Sequence, residues 1–352
     1  MRSLTRSVVA LCLILAACSP AAEPTTTSTS TTTSTTSTTT PTTTTSSTVA
    51  GDPSPLTGLP IADPTLADRR VLAVKIDNHP AAIPQSGLEQ ADVVIEILVE
   101  GITRFLTLWL EADSEYVGPM RSGRPTDASL LAALNEPTFA RSGAQGWVQS
   151  YIAARDVKQI GEIGGEATFR VSKYSSPHNL FVNTIALRAA ADERGYPDEP
   201  PAPLWEFGEM PASASPASHV RLDFSGNIVE WTWDAAQGLW LRTAYGEDSL
   251  WVDEEGTTGR LGVPVLVALY VEQYRATPEG GQSGVPVPAS RTVGSGRAFV
   301  FADGKVIEGT WERADETSWF VLEDSQGNTI PVPPGRPWIS LVPDDGGLTY
   351  EP

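Results

Sequence analysis

Apolar and polar positions divide the chain into stretches of different period. Val8 to Leu15 is a short apolar run behind Arg2 and Arg6, well below the roughly 20 residues a helix needs to cross a bilayer. From Arg70 the pattern is that of strands. Arg70–Asp77 reads as a buried strand that ends in polar residues and turns at Asn78-His79-Pro80. Val93–Val99 and Arg104–Leu110 are two further apolar runs, and Gly101 between them predicts a tight hairpin. A three-residue turn would set Glu100 opposite Arg104, whereas a two-residue turn would shift the pairing and remove that contact. Alternation along the strand puts Glu96 and Glu100 on one face. Pro125 in a first turn and Asp127 beside it mark a helix start ahead of the apolar Ala128–Leu134. Tyr174–Phe181 leads into a second helix over Thr184–Arg194.

The pattern changes near residues 195–218, where Tyr196–Pro203 is dense in proline and Pro211–Pro216 in Ala, Ser and Pro. A domain boundary is expected there. Beyond it, Val220–Phe224, Val229–Trp233, Leu239–Arg242, Val263–Tyr270, Ala298–Phe301, Val306–Trp311, Ser318–Leu322 and Thr329–Val332 are short strand-like runs between Gly, Asn and Asp turns. They predict a mostly antiparallel sheet or open barrel. The expected class is α+β: a mixed α/β domain over residues 56–200, then a β-rich domain over 204–352. Eight of the ten tryptophans lie beyond the boundary. They suit either a glycan-binding face or a β core, and their alternation with polar residues favours the core.

The N-terminus adds an address. A basic start, a short apolar core and small residues before Cys18 make an export signal over residues 1–18. Leu15-Ala16-Ala17-Cys18 resembles the lipobox of bacterial lipoproteins, in which the thiol carries a diacylglyceryl group. Two acyl chains suffice for stable anchoring, so the expected location is the extracytoplasmic face of the cell membrane. Cys12 leaves with the signal, so the folded part has no cysteine for a disulfide, a nucleophile or a metal. Residues 19–55, almost all Thr, Ser and Pro at first, form the expected tether.

A net charge of −19 argues against nucleic acid as a partner, and any anionic ligand would need a local basic pocket. Gly118-Pro119-Met120-Arg121-Ser122-Gly123-Arg124 offers one: two arginines and two glycines before a helix N-terminus suit an anion. Equally, Arg121 and Arg124 could pair internally with Asp77, Glu96 or Glu100. His178, one of three histidines, stands between Pro177 and Asn179 and suits either acid–base chemistry or a structural hydrogen bond, the latter favoured. No cofactor or metal site is predicted, although Asp77 and Asp92 carry oxygen donors of the kind Mg²⁺ uses. The glycine loops at 280–284 and 294–296 lack the strand-to-helix setting of a nucleotide site, and no hydrolase signature is present.

Asp77-Asn78, Pro84-Gln85-Ser86-Gly87-Leu88, Val99-Glu100-Gly101, Thr103-Arg104-Phe105, Gly118-Pro119-x-Arg121-Ser122-x-Arg124 and Pro177-His178-Asn179-Leu180 fall in the order of the DUF3048, or YerB-like, family of bacterial lipoproteins. Phe301-Ala302-Asp303-Gly304-Lys305, Gly309-Thr310-Trp311 and Pro334-Gly335-x-Pro337-Trp338-Ile339 extend the resemblance to its C-terminal domain. The chain departs from the family pattern where Ile102 directly follows Gly101. The resemblance implies an envelope location and a shared pocket of Asp77, Asn78, Gln85, Ser86, Arg104, Arg121, Arg124 and His178, but no reaction. Three functions stay open: binding of an anionic envelope glycan, lipid or partner; an enzyme acting on a phosphoryl- or glycosyl-linked substrate; and a structural assembly factor.

Overall fold

A computed structural model describes residues 51–352. The signal, Cys18 and the Thr/Ser-rich part of the tether lie outside the described residues. Strands dominate. β1 (Leu72–Ile76), β2 (Val93–Leu98), β3 (Thr103–Trp109), β4 (Thr138–Ala140) and β5 (Lys158–Ile160) form one end of a large sheet. Its order continues from β2 through Pro337–Pro343, Val265–Val271, Gly294–Ala302, Lys305–Arg313 and Val321–Glu323. β3 runs antiparallel to β1 and β2, while β4 and β5 are parallel to β1.

Pro337–Pro343 pairs in parallel with both β2 and Val265–Val271. One sheet therefore contains strands from both sides of the proline-dense stretch. The sheet is mixed rather than antiparallel, and the fold is more strongly β than α+β suggests. The helices are short: α1 (Pro125–Leu131), α2 (Gly146–Ala153) and α3 (Thr184–Glu193).

Both faces of the sheet are covered, which explains why β1, β2, β3 and Pro337–Pro343 are buried at every position. Val93, Ile95 and Ile97 of β2 pack with Leu106, Leu108, Ile339 and Leu341 on the side of α1 and α2. Val94, Phe105, Trp109, Leu266 and Trp338 point to the other side. There they meet α3 and a second sheet built from His219–Phe224, Asn227–Asp234, Leu239–Ala244 and Gly347–Glu351. Trp231, Trp240, Trp311 and Trp338 are fully buried, and no tryptophan is exposed among the described residues. The aromatic clustering fills the core and makes no glycan-binding face. No helix among the described residues is long and apolar enough to cross a membrane.

Candidate functional site

Strands with two covered faces must match any charge they bury, and β1–β3 carry Lys75, Glu96 and Arg104. Two of these lie at a special edge. Because β1, β4 and β5 are parallel, their carboxyl ends line up, the usual ligand position in open α/β sheets. Asp77 follows β1 and Arg141 follows β4. The segment carrying Arg121 crosses this edge: Asp77 N donates to Pro119 O (2.9 Å) and Arg121 N to Lys75 O (2.7 Å). Arg121-Ser122-Gly123 then pairs with a second Arg-Ser-Gly string, Arg141-Ser142-Gly143, through Ser142 N to Arg121 O (3.0 Å) and Gly123 N to Gly143 O (2.9 Å). A Cβ at Gly123 would lie 2.9 Å from Arg141 Cδ, so glycine is what lets the strings approach.

The edge is cation-rich. Arg124 binds Glu100 at 2.6 Å, and Lys75 binds Asp127 at 2.6 Å with both side chains fully buried. Arg121 Nε stands 3.2 Å from Asp77 Oδ2 without hydrogen-bond geometry. Arg104 reaches Glu100 only at 3.7 Å and otherwise donates to Ser122 O (3.3 Å). Arg141 donates twice to Gln159 Oε1 and has no carboxylate partner among the described residues. Arg121 and Arg124 thus do pair internally, yet among the described residues five cations face only Asp77, Glu100 and Asp127. Burial, then the neighbouring Arg124, pulls Arg104 down to about 10. Burial lowers Lys75 against the opposing pull of Asp127, and lowers Arg141 as well. A cavity of about 400 Å³ lies beside Arg124, lined by Glu100, Ser122, Gly123, Gln145 and Val148. α2 begins there without a side-chain cap, so its first N–H groups are open to solvent or a ligand.

Asp77 organises the neighbouring polar group. It is fully buried, its Oδ2 is 2.7 Å from His178 Nδ1, and its Oδ1 accepts from His79 N at 3.1 Å. The rings of His79 and His178 stack at 4.4 Å, and Ala81 N donates to His79 Nδ1 at 3.1 Å. His178 Nε2 and both Arg121 Nη atoms have no partner among the described residues. Gln85 Nε2 donates to Asp77 O (3.1 Å) and Asn78 Oδ1 (2.9 Å), and Asn78 Nδ2 donates to Thr103 Oγ1 (2.7 Å).

Several expected members stand elsewhere. The hairpin uses a two-residue turn, with Leu98 opposite Thr103 and Ile97 opposite Arg104, and Gly101 at φ +74°. The Glu100–Arg104 contact survives this register, loosely, because Glu100 reaches it from the turn. Strand alternation has ended there, so Glu96 and Glu100 do not share a face. Glu96 is buried against the second sheet, accepting from Thr103 Oγ1 (2.7 Å), Arg242 (2.7 Å) and Trp338 Nε1 (3.1 Å). That is a structural knot rather than an acid or base. Asp92 precedes β2 at the far end of the sheet and accepts from the N–H groups of Leu110, Glu111 and Ala112, so it does not join Asp77 around Mg²⁺. Asn179 accepts from Arg170 (2.8 Å). Ser86 pairs through its backbone with Gly118, its hydroxyl unpartnered. Arg141 and α2 were not anticipated, although the repeated Arg-Ser-Gly string was a usable signal.

Fold and site together define a mostly β protein built around a large mixed sheet, with its cation-rich cluster at the carboxyl ends of parallel strands. Residues 56–197 match the family described as "Protein of unknown function (DUF3048) N-terminal domain", and residues 220–339 match the corresponding C-terminal domain. The chain belongs to the DUF3048 family. It is 28% identical over 299 residues to the Bacillus subtilis (strain 168) protein named "Putative lipoprotein YerB", covering 83% of this chain and 86% of that one. The crystal structure of YerB from Bacillus subtilis superposes with a TM-score of 0.71 at 27% identity, covering 84% of this chain and 99% of that chain.

Proposed function

We propose that the chain is a lipoprotein anchored through Cys18 on the extracytoplasmic face of the cell membrane, and that it binds an anionic envelope group at Arg104, Arg121, Ser122, Arg124 and Arg141. The lipobox-like string and the name of the relative support the anchor. The observation that carries the binding reading is the local excess of positive charge: five cations against three carboxylates on a chain whose net charge is −19. Guanidinium forks and an uncapped helix start are suited to phosphate or carboxylate oxygens. Titration calorimetry with inorganic phosphate tests this. Binding should be present, weaken with added salt, and fall at least about tenfold in Arg121→Gln or Arg141→Gln, the loss of one charge-assisted contact. Phosphate binding that is absent, or unchanged in both folded variants, would overturn the reading.

One observation favours a second reading. Asp77 holds His178 Nδ1 at 2.7 Å, the arrangement that presents Nε2 as a proton acceptor. In this reading His178 takes a proton from water as the water oxygen bonds to the phosphorus of the bound group and the P–O bond to the leaving group breaks. His178 then returns the proton to the departing oxygen, and Arg121 balances the developing negative charge. Turnover of a phosphorylated or glycosyl-linked envelope fragment that stops in His178→Gln and Asp77→Asn, with phosphate binding retained in His178→Gln, would establish it. Stoichiometric binding without turnover leaves the first reading alone.

A further inference from the structure

A second cavity, of about 300 Å³, opens beside Asn78, at the low end of the range for small-molecule sites. Its character is opposite to the cationic edge. Ile83, Tyr245 and Leu250 line it and are 39%, 45% and 39% exposed, three of the eight large hydrophobic side chains that stand exposed among the described residues. Polar groups line it too: Arg242, 3% exposed, is held by Glu96 at 2.7 Å, with its Nε unpartnered among the described residues, and Gln85 donates to Asp77 O and Asn78 Oδ1. Glu247 and Asp248 stand in its lining and disfavour an anion entering head first.

The cavity and the cationic edge share one short piece of backbone. Asn78 lines the cavity while Asp77, the adjacent residue, contacts Arg121 and His178. His178, held by Asp77 at 2.7 Å, stacks on His79 at 4.4 Å, and Pro80, the next residue along the chain, lines the cavity. Tyr245 is fastened to the same stretch, donating from its hydroxyl to Asn78 O at 3.1 Å.

We propose that this cavity takes the apolar chain of an amphiphilic phosphate, a lipid-derived alkyl phosphate, whose head group lies against the free Nη atoms of Arg121. The head-group half rests on the anion-binding reading above, and the chain half rests on the cavity alone.

Calorimetry on the full chain tests both halves. Cys18→Ser keeps an attached acyl chain from competing for the cavity. Three probes are used: inorganic phosphate, octyl phosphate below its micelle concentration, and octyl glucoside, which has the chain without the charge. At roughly fourfold in affinity per buried methylene, two buried methylenes make octyl phosphate more than about tenfold tighter than inorganic phosphate. Ile83→Ser with Leu250→Ser should bring octyl phosphate back to the inorganic phosphate value and leave the latter unchanged. Arg121→Gln should weaken both phosphates and spare octyl glucoside. Circular dichroism checks that each variant folds. Equal affinity for the two phosphates in the Cys18→Ser chain overturns the cavity inference but leaves anion binding standing. Octyl glucoside binding as tightly as octyl phosphate, with no inorganic phosphate bound, overturns the anion reading and the amphiphile with it. No binding of any probe overturns both.

Discussion

Replacing Glu96 with Gln isolates the contact that joins the two halves of the chain. The carboxylate is fully buried on β2 and receives hydrogen bonds from Thr103, from Arg242 of the second sheet and from Trp338 of the strand beside it. Gln keeps the shape but leaves the Arg242 guanidinium, 3% exposed, without its counter-charge. Breaking a buried pair from one side costs about 3–5 kcal/mol. Phe105, Trp231 and Trp338 lie 5.2 to 6.0 Å from the guanidinium and soften the loss, so the lower part of that range is expected. Urea unfolding followed by the fluorescence of buried Trp231, Trp240 and Trp338 measures it, read at constant slope. Glu96→Leu with Arg242→Met should recover most of the loss, since a buried pair exchanged for apolar residues is often neutral. Phosphate affinity should not change in Glu96→Gln. A loss below about 1 kcal/mol, on the scale of an exposed pair, or a double variant no more stable than the single, would refute the reasoning.

Other expected outcomes follow from the same geometry. Lys75→Met leaves Asp127 buried without its partner and should cost about 3–5 kcal/mol in the same unfolding assay. Because burial lowers Lys75 in the folded state, the unfolded chain holds more protons as pH approaches 10.5, so this group makes stability rise there; Lys75→Met should remove that rise. Burial raises Tyr174 to about 12, so its contribution is complete below the ordinary value of 10 and is lost as pH climbs through about 12. Tyr174→Phe should flatten that alkaline decline, at about 1 kcal/mol near neutrality for the hydrogen bond to Pro84 O. A Cβ at Gly309 would sit 2.1 Å from Glu323 O, so Gly309→Ala should cost about 1–3 kcal/mol; unchanged thermal unfolding would contradict the tight strand pairing seen there.

What could be read from the residues was local. Pro125 and Asp127 announced α1, at whose start Arg124 N donates to Asp127 Oδ2 at 2.7 Å, and α3 begins at Thr184 as its pattern required. β1 to β3 were visible because apolar residues dominate each run, broken only by Lys75, Glu96, Arg104 and Thr107. Pro337–Pro343 was missed as a strand: prolines bound it, and both its partners are distant and parallel. α2 lacks a capping side chain and follows glycine-rich sequence, so only the spacing of Trp147, Val148 and Ile152 marked it. In the site, the conjunction of Asp77, Arg121 and His178 was anticipated. The removal of Glu96, Asp92 and Asn179 was not, because strand face and strand end are decided by pairing rather than by spacing.

The position of Pro337–Pro343 bears on how the molecule can be made. A chain elongated from its N-terminus produces β2 about 240 residues before the neighbour that seals its open side. Until that neighbour arrives, the apolar hydrogen-bonding edge of β2 stays open, the kind of surface that recruits wrong partners. Chains cut before Pro337, even those retaining the entire arginine cluster, should therefore aggregate or be degraded, and Pro337–Pro343 acts as the closing piece for a site that other segments build.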